Sequence, residues 1–324
     1  MQTGDWVDYP SLRSFLRPES MSNLAQAVSI PDPRGEQSVW KKLAGWRTAI
    51  LLILIAWLYA PIAGRLVHQW STDPNFSHGF FVPAFSAFVV WQDRVRLAAL
   101  RRAPSTWGLP IILISVFLLL LGVYGAELFL SRISLVILIA GMVIFFLGWE
   151  MLRGALFPLL FLILMVPIPA IVFNQITFPL QILASKLAAW SLPLCGVPVL
   201  REGNVINLPA MPLEVADACS GIRSLLSLTT LAIMYGYLVE KRLALRITLA
   251  LASIPIAIAA NGFRIVGTGL LVQYWDPSKA EGFFHEFSGW LIFVVSLLML
   301  FALHQCLNFF WGRDRHKDKD KVDA

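Results

Sequence analysis

Apolar runs long enough to cross a bilayer recur along this chain, and no other feature limits its fold as much. They cover 48–64, 79–91, 107–126, 128–149, 154–173, 221–239, 243–263 and 288–311. About 20 helical residues cross some 30 Å of hydrocarbon. In lipid every backbone polar group must be paired within its own segment, so such runs read as helices. Composition points the same way: 57% of the 324 residues are hydrophobic and 14% are charged. An ordinary soluble domain is about 25% charged. A soluble globule, a disordered chain and a fibrous chain are all excluded. The predicted fold class is an all-α polytopic membrane protein with about eight transmembrane helices. Two segments are less regular. The run at 79–91 is short unless it begins at Asn75. Segment 176–200 is interrupted by Lys186, Pro193 and Pro198, and reads as a ninth span, a re-entrant helix or an interfacial helix.

Charge placement sets the orientation. With both termini in the cytoplasm and 174–220 on the far side, 19 Lys and Arg face the cytoplasm. Seven face outward: Arg65, Arg132, Lys186, Arg201, Arg223, Arg264 and Lys279. The positive-inside rule favours that arrangement. The net charge of +6 is thus assigned to cytoplasmic ends and loops, and nucleic acid is not expected as a partner. The lipid bilayer is. Three regions are expected: a polar cytoplasmic tail at 1–46, a transmembrane region at 47–311 and a basic cytoplasmic tail at 312–324. The first tail does not read as a signal peptide, because no small-residue cleavage site closes the first apolar run. Pro167, Pro169 and Pro255 lie inside expected helices, where proline removes a backbone donor.

The three cysteines, Cys195, Cys219 and Cys306, form no CxxC or Cys/His cluster. Phosphate-loop, HExxH, GxGxxG and GxSxG patterns do not occur. No metal and no cofactor are expected. Unusual polar chemistry instead collects on the outward side. Cys219 lies in LREGNVINLPAMPLEVADACSGIRSLL (200–226), between Asp217 and Arg223 and just before the sixth span. It reads either as a small buried hydrophobe or as a thiol whose pKa is lowered by a helix N-terminus. Ser220 is a possible N-cap, and Gly221 permits close approach of another segment.

The seventh span ends with Asn261 and Arg264, three residues apart, which could face one cavity. Arginine inside a membrane helix serves a functional cavity or snorkels to the interface. His285 and Glu286 precede the eighth span, and His285 reads as an interfacial residue or a general base. The first outward loop, HQWSTDPNFSHGFFVP, holds Asp73, Asn75, Ser77 and His78. It reads as a polar pocket or as a helix start capped by Ser77 or Asn75, and His78 rivals His285 as base. His304 and His316 fall on the cytoplasmic side. Cys219, Arg264 and His285 thus come from three helix ends on one side of the membrane. Together they could run thiol acyl transfer: imidazole takes the thiol proton, thiolate attacks a carbonyl, and the guanidinium stabilises the anion.

These segments resemble the exosortase/archaeosortase family. The resemblance rests on EVADACSGIRSL at 214–225, REGNVINLP at 201–209, NGFRI at 261–265, HEFSGW at 285–290 and WSTDPNFSHGFFVP at 70–83. It covers roughly residues 48–310. It implies a multi-spanning inner-membrane cysteine peptidase or transpeptidase with Cys219 as nucleophile, Arg264 as the family's arginine and His285 as base. It implies substrates that are exported proteins with a C-terminal Pro-Glu-Pro-like motif, a transmembrane helix and a basic tail, often associated with exopolysaccharide. His78, Asp73, Arg201, Asp217, Arg223 and Asn261 are the candidate substrate-pocket residues, with Arg201 a possible partner of the motif's glutamate. The acceptor, an amine or a glycan, is left open. A transporter or transferase of lipid-linked glycans is the rival reading, and Cys219 separates the two: a transporter should tolerate its replacement.

Overall fold

The computed structural model describes residues 46–215, 221–275 and 283–322. The expected tail at 1–46 falls almost wholly outside the described residues, as do Asp217, Cys219 and Ser220. Residues up to Pro61 form one compact unit and those from Ile62 another. Helix α1, Trp46–Thr72, begins in the first and ends in the second.

Within the second unit, a 3-10 turn at Pro74–Phe80 leads into α2, Phe81–Gln92. Asp73 caps the turn: its carboxylate accepts the Asn75 N–H at 3.0 Å, and Pro74 fills the first position, where no donor is needed. Neither Ser77 nor Asn75 caps α2 as expected: its N-cap is Phe80, which makes no side-chain cap bond. Gly79 sits against the Trp70 indole so closely that an added β-carbon would lie 2.3 Å from Nε1. Trp70 Nε1 donates to the Met165 carbonyl at 3.0 Å.

Helices α3, Gly108–Tyr124, and α4, Leu128–Leu147, form a tight hairpin. Glycines permit it: a β-carbon on Gly108 or Gly122 would lie 2.4 Å from the Phe145 or Ser131 backbone nitrogen. Small residues serve this purpose where lipid gives helices no hydrophobic reason to associate. The Glu127 carboxylate caps α4 through the Phe129 N–H. Gly148, at φ 95°, ends it.

The expected fifth span, 154–173, is broken. Helix α5, Leu156–Phe161, continues as a 3-10 turn to Met165, and the chain then bends by 79° before α6, Ala170–Leu194. The break falls at Pro167 and Pro169, which cannot donate backbone bonds. Segment 176–200 thus lies mostly within one 25-residue helix. That helix runs in the same direction as α8, Leu243–Tyr274: Leu192 contacts Gly269, and the Tyr274 hydroxyl donates to the Cys195 carbonyl at 3.1 Å.

The sequence reading did not include strands, yet three short ones follow α6. Strands β1 (Leu200–Glu202), β2 (Val205–Asn207) and β3 (Pro212–Glu214) pair antiparallel in the order β1-β2-β3. Gly203, at φ 65°, makes the first turn, as two-residue hairpins require. The sheet buries Ile206 and Leu213 against Ala188 and Leu192 of α6 and Ile265 of α8.

Helices α7, Gly221–Val239, α8 and α9, Phe283–Val322, complete the bundle. Leu228, Ala232, Leu249, Ala257 and Leu300 form their shared core. Thr229 and Ser253 hydroxyls bridge α7 and α8 at 2.9 Å. Among the described residues, five helices are long and apolar enough to cross a membrane, or six if the bent pair α5–α6 counts as one span. Eight were expected. The difference lies at α2, with 12 residues, at α3, with 17, and at the proline break. The chain is a predominantly helical, multi-pass membrane protein.

Candidate active site

Helix α8 carries Arg264 ten residues before its end at Tyr274, not at the end of the seventh span expected at 243–263, because the helix continues past it. Across from it, α9 presents Gly289. A β-carbon there would lie 3.5 Å from Arg264 Nη2 and 3.6 Å from its Cζ. The guanidinium therefore lies along the face of α9 that glycine leaves open. His285 precedes Gly289 by four residues, one helical turn on the same face. Its backbone belongs to α9.

Arg264 and Gly289 open onto a cleft of about 450 Å³. Its other walls come from Arg223, Ser224 and Ser227 on α7, Trp290 and Phe293 on α9, and Pro74 and Ser77 of the 3-10 turn. Arg223 is exposed and Arg264 partly buried. Spacing on α7 explains the serines: 223, 224 and 227 share a face. Ser224, Ser227, Gly289 and Trp290 were not singled out from sequence, although that spacing and the HEFSGW segment carried the signal. The cleft combines two guanidinium groups and three hydroxyl-bearing side chains with an aromatic wall.

The remaining predicted pocket residues spread over other places. Asn261 lies three residues before Arg264 but does not share its cleft. It is 6% exposed and packs against the start of α7, where a β-carbon on Gly221 would lie 2.8 Å from its Nδ2. The close approach foreseen for Gly221 is thus to a side chain on α8. His78 is 8% exposed and does not line the cleft. Burial pushes its imidazole below the ordinary histidine pKa, partly opposed by backbone groups of Leu164 and Asn75. Asp73 faces a separate cavity beside Arg132. Arg201 lies on β1 and donates to the Gly203 carbonyl. Asp217 and Cys219 are outside the described residues. His304, on the same helix as Gly289, is 15 residues further on, or about 22 Å along the axis.

No group of three or more His, Cys, Asp or Glu able to hold a metal occurs among the described residues.

Apolar helices around an arginine-lined cleft define a multi-pass membrane protein. The chain matches the family model described as Transmembrane exosortase (Exosortase_EpsH) over residues 70–302. It belongs to the transmembrane exosortase family, a family of membrane cysteine peptidases and transpeptidases. No curated protein and no solved structure matches it.

Proposed function

We propose that this chain is a membrane-embedded cysteine peptidase or transpeptidase that removes C-terminal sorting signals from exported proteins. One observation carries the reading: residues from four separate sequence segments line a single cleft, including Arg264, Arg223 just after Cys219, and Gly289 one turn after His285. Cys219 is the nucleophile. Only Ser220 separates it from Gly221, the first residue of α7, so chain connectivity keeps its α-carbon within about 7 Å of that glycine. The unpaired amides of a helix's first turn favour a thiolate.

His285 takes the thiol proton, and the thiolate attacks the scissile carbonyl. Arg264 neutralises the oxyanion. Collapse of the tetrahedral species breaks the C–N bond, and the imidazolium returns its proton to the departing amine. Water or an amine then attacks the thioester and regenerates the thiol. The exosortase domain is taken as 47–311, between cytoplasmic tails 1–46 and 312–324. In the eight-span orientation the cleft faces the periplasm of a bacterial inner membrane. A substrate helix with a basic cytoplasmic tail would hold its Pro-Glu-Pro-like motif level with the cleft. Arg223 and Arg264 offer the positive charge its glutamate requires.

The test is co-expression with an exported protein bearing such a signal, followed by intact-mass analysis of its C-terminus. Wild type should shorten the substrate. Cys219→Ala should leave it whole, a loss of about 10⁴-fold or more, while still accumulating in the membrane. A thioester adduct trapped on Cys219 would identify the nucleophile. Full processing by Cys219→Ala would refute the reading.

A further inference from the structure

A second cavity lies beside the cleft, on the other side of the 3-10 turn. It has a volume of about 360 Å³ and lies between that turn, the start of α4 and the proline break. Arg132 of α4 is the only cation lining it among the described residues. This arginine is 5% exposed. No hydrogen bond or ion pair to its guanidinium occurs among the described residues. The two carboxylates that line the cavity are both used as caps: Asp73 accepts from Asn75 and Glu127 from Phe129. The charge felt most at Arg132 is a like one, from Arg65 of α1. Arg65 lies one helical turn before Gln69, which lines the cavity.

An arginine does not lose its proton, so burying it without an acceptor and beside a second arginine is unfavourable unless an anion joins them. Position identifies the source of that anion. Arg132 is the fifth residue of α4, about 6 Å from the start of a span with mean hydropathy 2.5. That is the depth of the headgroup layer rather than open water. Leu128, which lines the cavity, is 45% accessible, and Ile171, next to the lining residue Ala170, is 74% accessible. Exposed apolar side chains beside the cavity suit lipid contact. We propose that the cavity is a lipid headgroup site, in which the phosphate of a membrane phospholipid is held by Arg132 with Arg65 contributing at the rim.

The experiment uses the full chain in detergent, carrying Cys219→Ala so that the result does not depend on peptidase activity. Dioctanoylphosphatidylglycerol, dioctanoylglycerol, inorganic phosphate and a soluble Pro-Glu-Pro peptide are compared by native mass spectrometry and thermal shift. Saturable binding of the phospholipid is expected, with none of the phosphate-free lipid. Arg132→Gln should weaken it at least 10-fold. Arg65→Gln, at an exposed position, should weaken it about 3-fold, and it keeps the test valid if the buried variant fails to fold. Equal binding of both lipids, or unchanged binding by both variants, overturns the proposal. So does saturation by inorganic phosphate alone or by the peptide in place of the lipid.

Discussion

The two ends of helix α9 show two ways of using polar groups within an apolar bundle. At the far end, His304 is 2% exposed and its ring is saturated. Nδ1 shares a hydrogen bond with the Tyr235 hydroxyl at 2.7 Å, and Nε2 one with Asn308 Nδ2 at 2.9 Å. Glu240 Oε2 stands 3.5 Å from Nε2. At the near end, Arg264 borders an open cleft of about 450 Å³ with a second arginine and several hydroxyls. The first cluster is closed and matched, which is how buried polar groups join helices without loss. The second borders open volume with room for a molecule. A closed polar cluster is structural, and one that borders open volume is a working one.

The comparison breaks most readily at Arg264. Replacing it with alanine removes the oxyanion's counter-charge and should slow substrate processing by about 10²–10³-fold. Arg264→Lys keeps the charge but loses the planar fork, so recovery should be partial. A time course of substrate shortening checks both. Processing within about 3-fold of wild type would place Arg264 among the structural groups.

His304→Ala should do the reverse. It leaves the Tyr235 hydroxyl without its partner, while Glu240 keeps the Lys241 and Arg242 N–H groups. Losing such a partner costs about 1–3 kcal/mol, so stability in detergent should fall by about that amount. Processing by the protein that remains folded should stay within about 3-fold. A stable variant that no longer processes substrate would erase the distinction between the two ends.

Much of the near end was legible in the sequence because its chemistry is local. The segment NGFRI carries the arginine and HEFSGW the glycine, and packing of α8 on α9 sets Arg264 opposite Gly289. Asn261 shows where that logic stops. A three-residue spacing puts it on roughly the same face as Arg264, but Asn261 packs against Gly221 at the start of α7, while Arg264 lines the cleft with Arg223, Ser224 and Ser227. Crossing positions depend on pairs of small residues distant in sequence, which periodicity does not reveal. The same limit applies to Arg132, which looked like one more outward charge until α1 and the proline break closed around it. Hydropathy likewise marked 154–173 as one span. The two prolines that bend it were visible, but the 79° direction change is set by what Trp70 and the 3-10 turn pack against.

Two glycines at the near end separate packing from chemistry. Gly79→Ala sets a methyl 2.3 Å from the Trp70 indole nitrogen, so the ring must move and its bond to Met165 must break. The expected loss is about 1–3 kcal/mol of stability. At Gly289 the nearest neighbour of an added methyl is Arg264 at 3.5 Å, ordinary contact. Gly289→Ala should change stability by less than about 0.5 kcal/mol. It should affect processing, if at all, by displacing the guanidinium. Thermal unfolding of the two variants side by side tests this contrast. Equal losses would mean that the cleft wall is as tightly packed as the turn.

His78 tests the rule in the smallest increment, because it shares features of both ends. It is buried like His304, yet its Nδ1 makes no hydrogen bond among the described residues. Burial lowers its pKa in the folded protein below the ordinary histidine value of 6.5. As pH falls through that value the unfolded chain takes up the proton first, so stability decreases with acidification and levels off only below the folded-state pKa. Replacing His78 with Gln should flatten the stability profile between about pH 7 and pH 5. Processing at pH 7.5 should persist, since the side chain does not line the cleft. An unchanged slope would contradict the burial of a neutral ring. Loss of processing in a variant of undiminished stability would instead make His78 the proton acceptor, and the working region would then extend behind the turn.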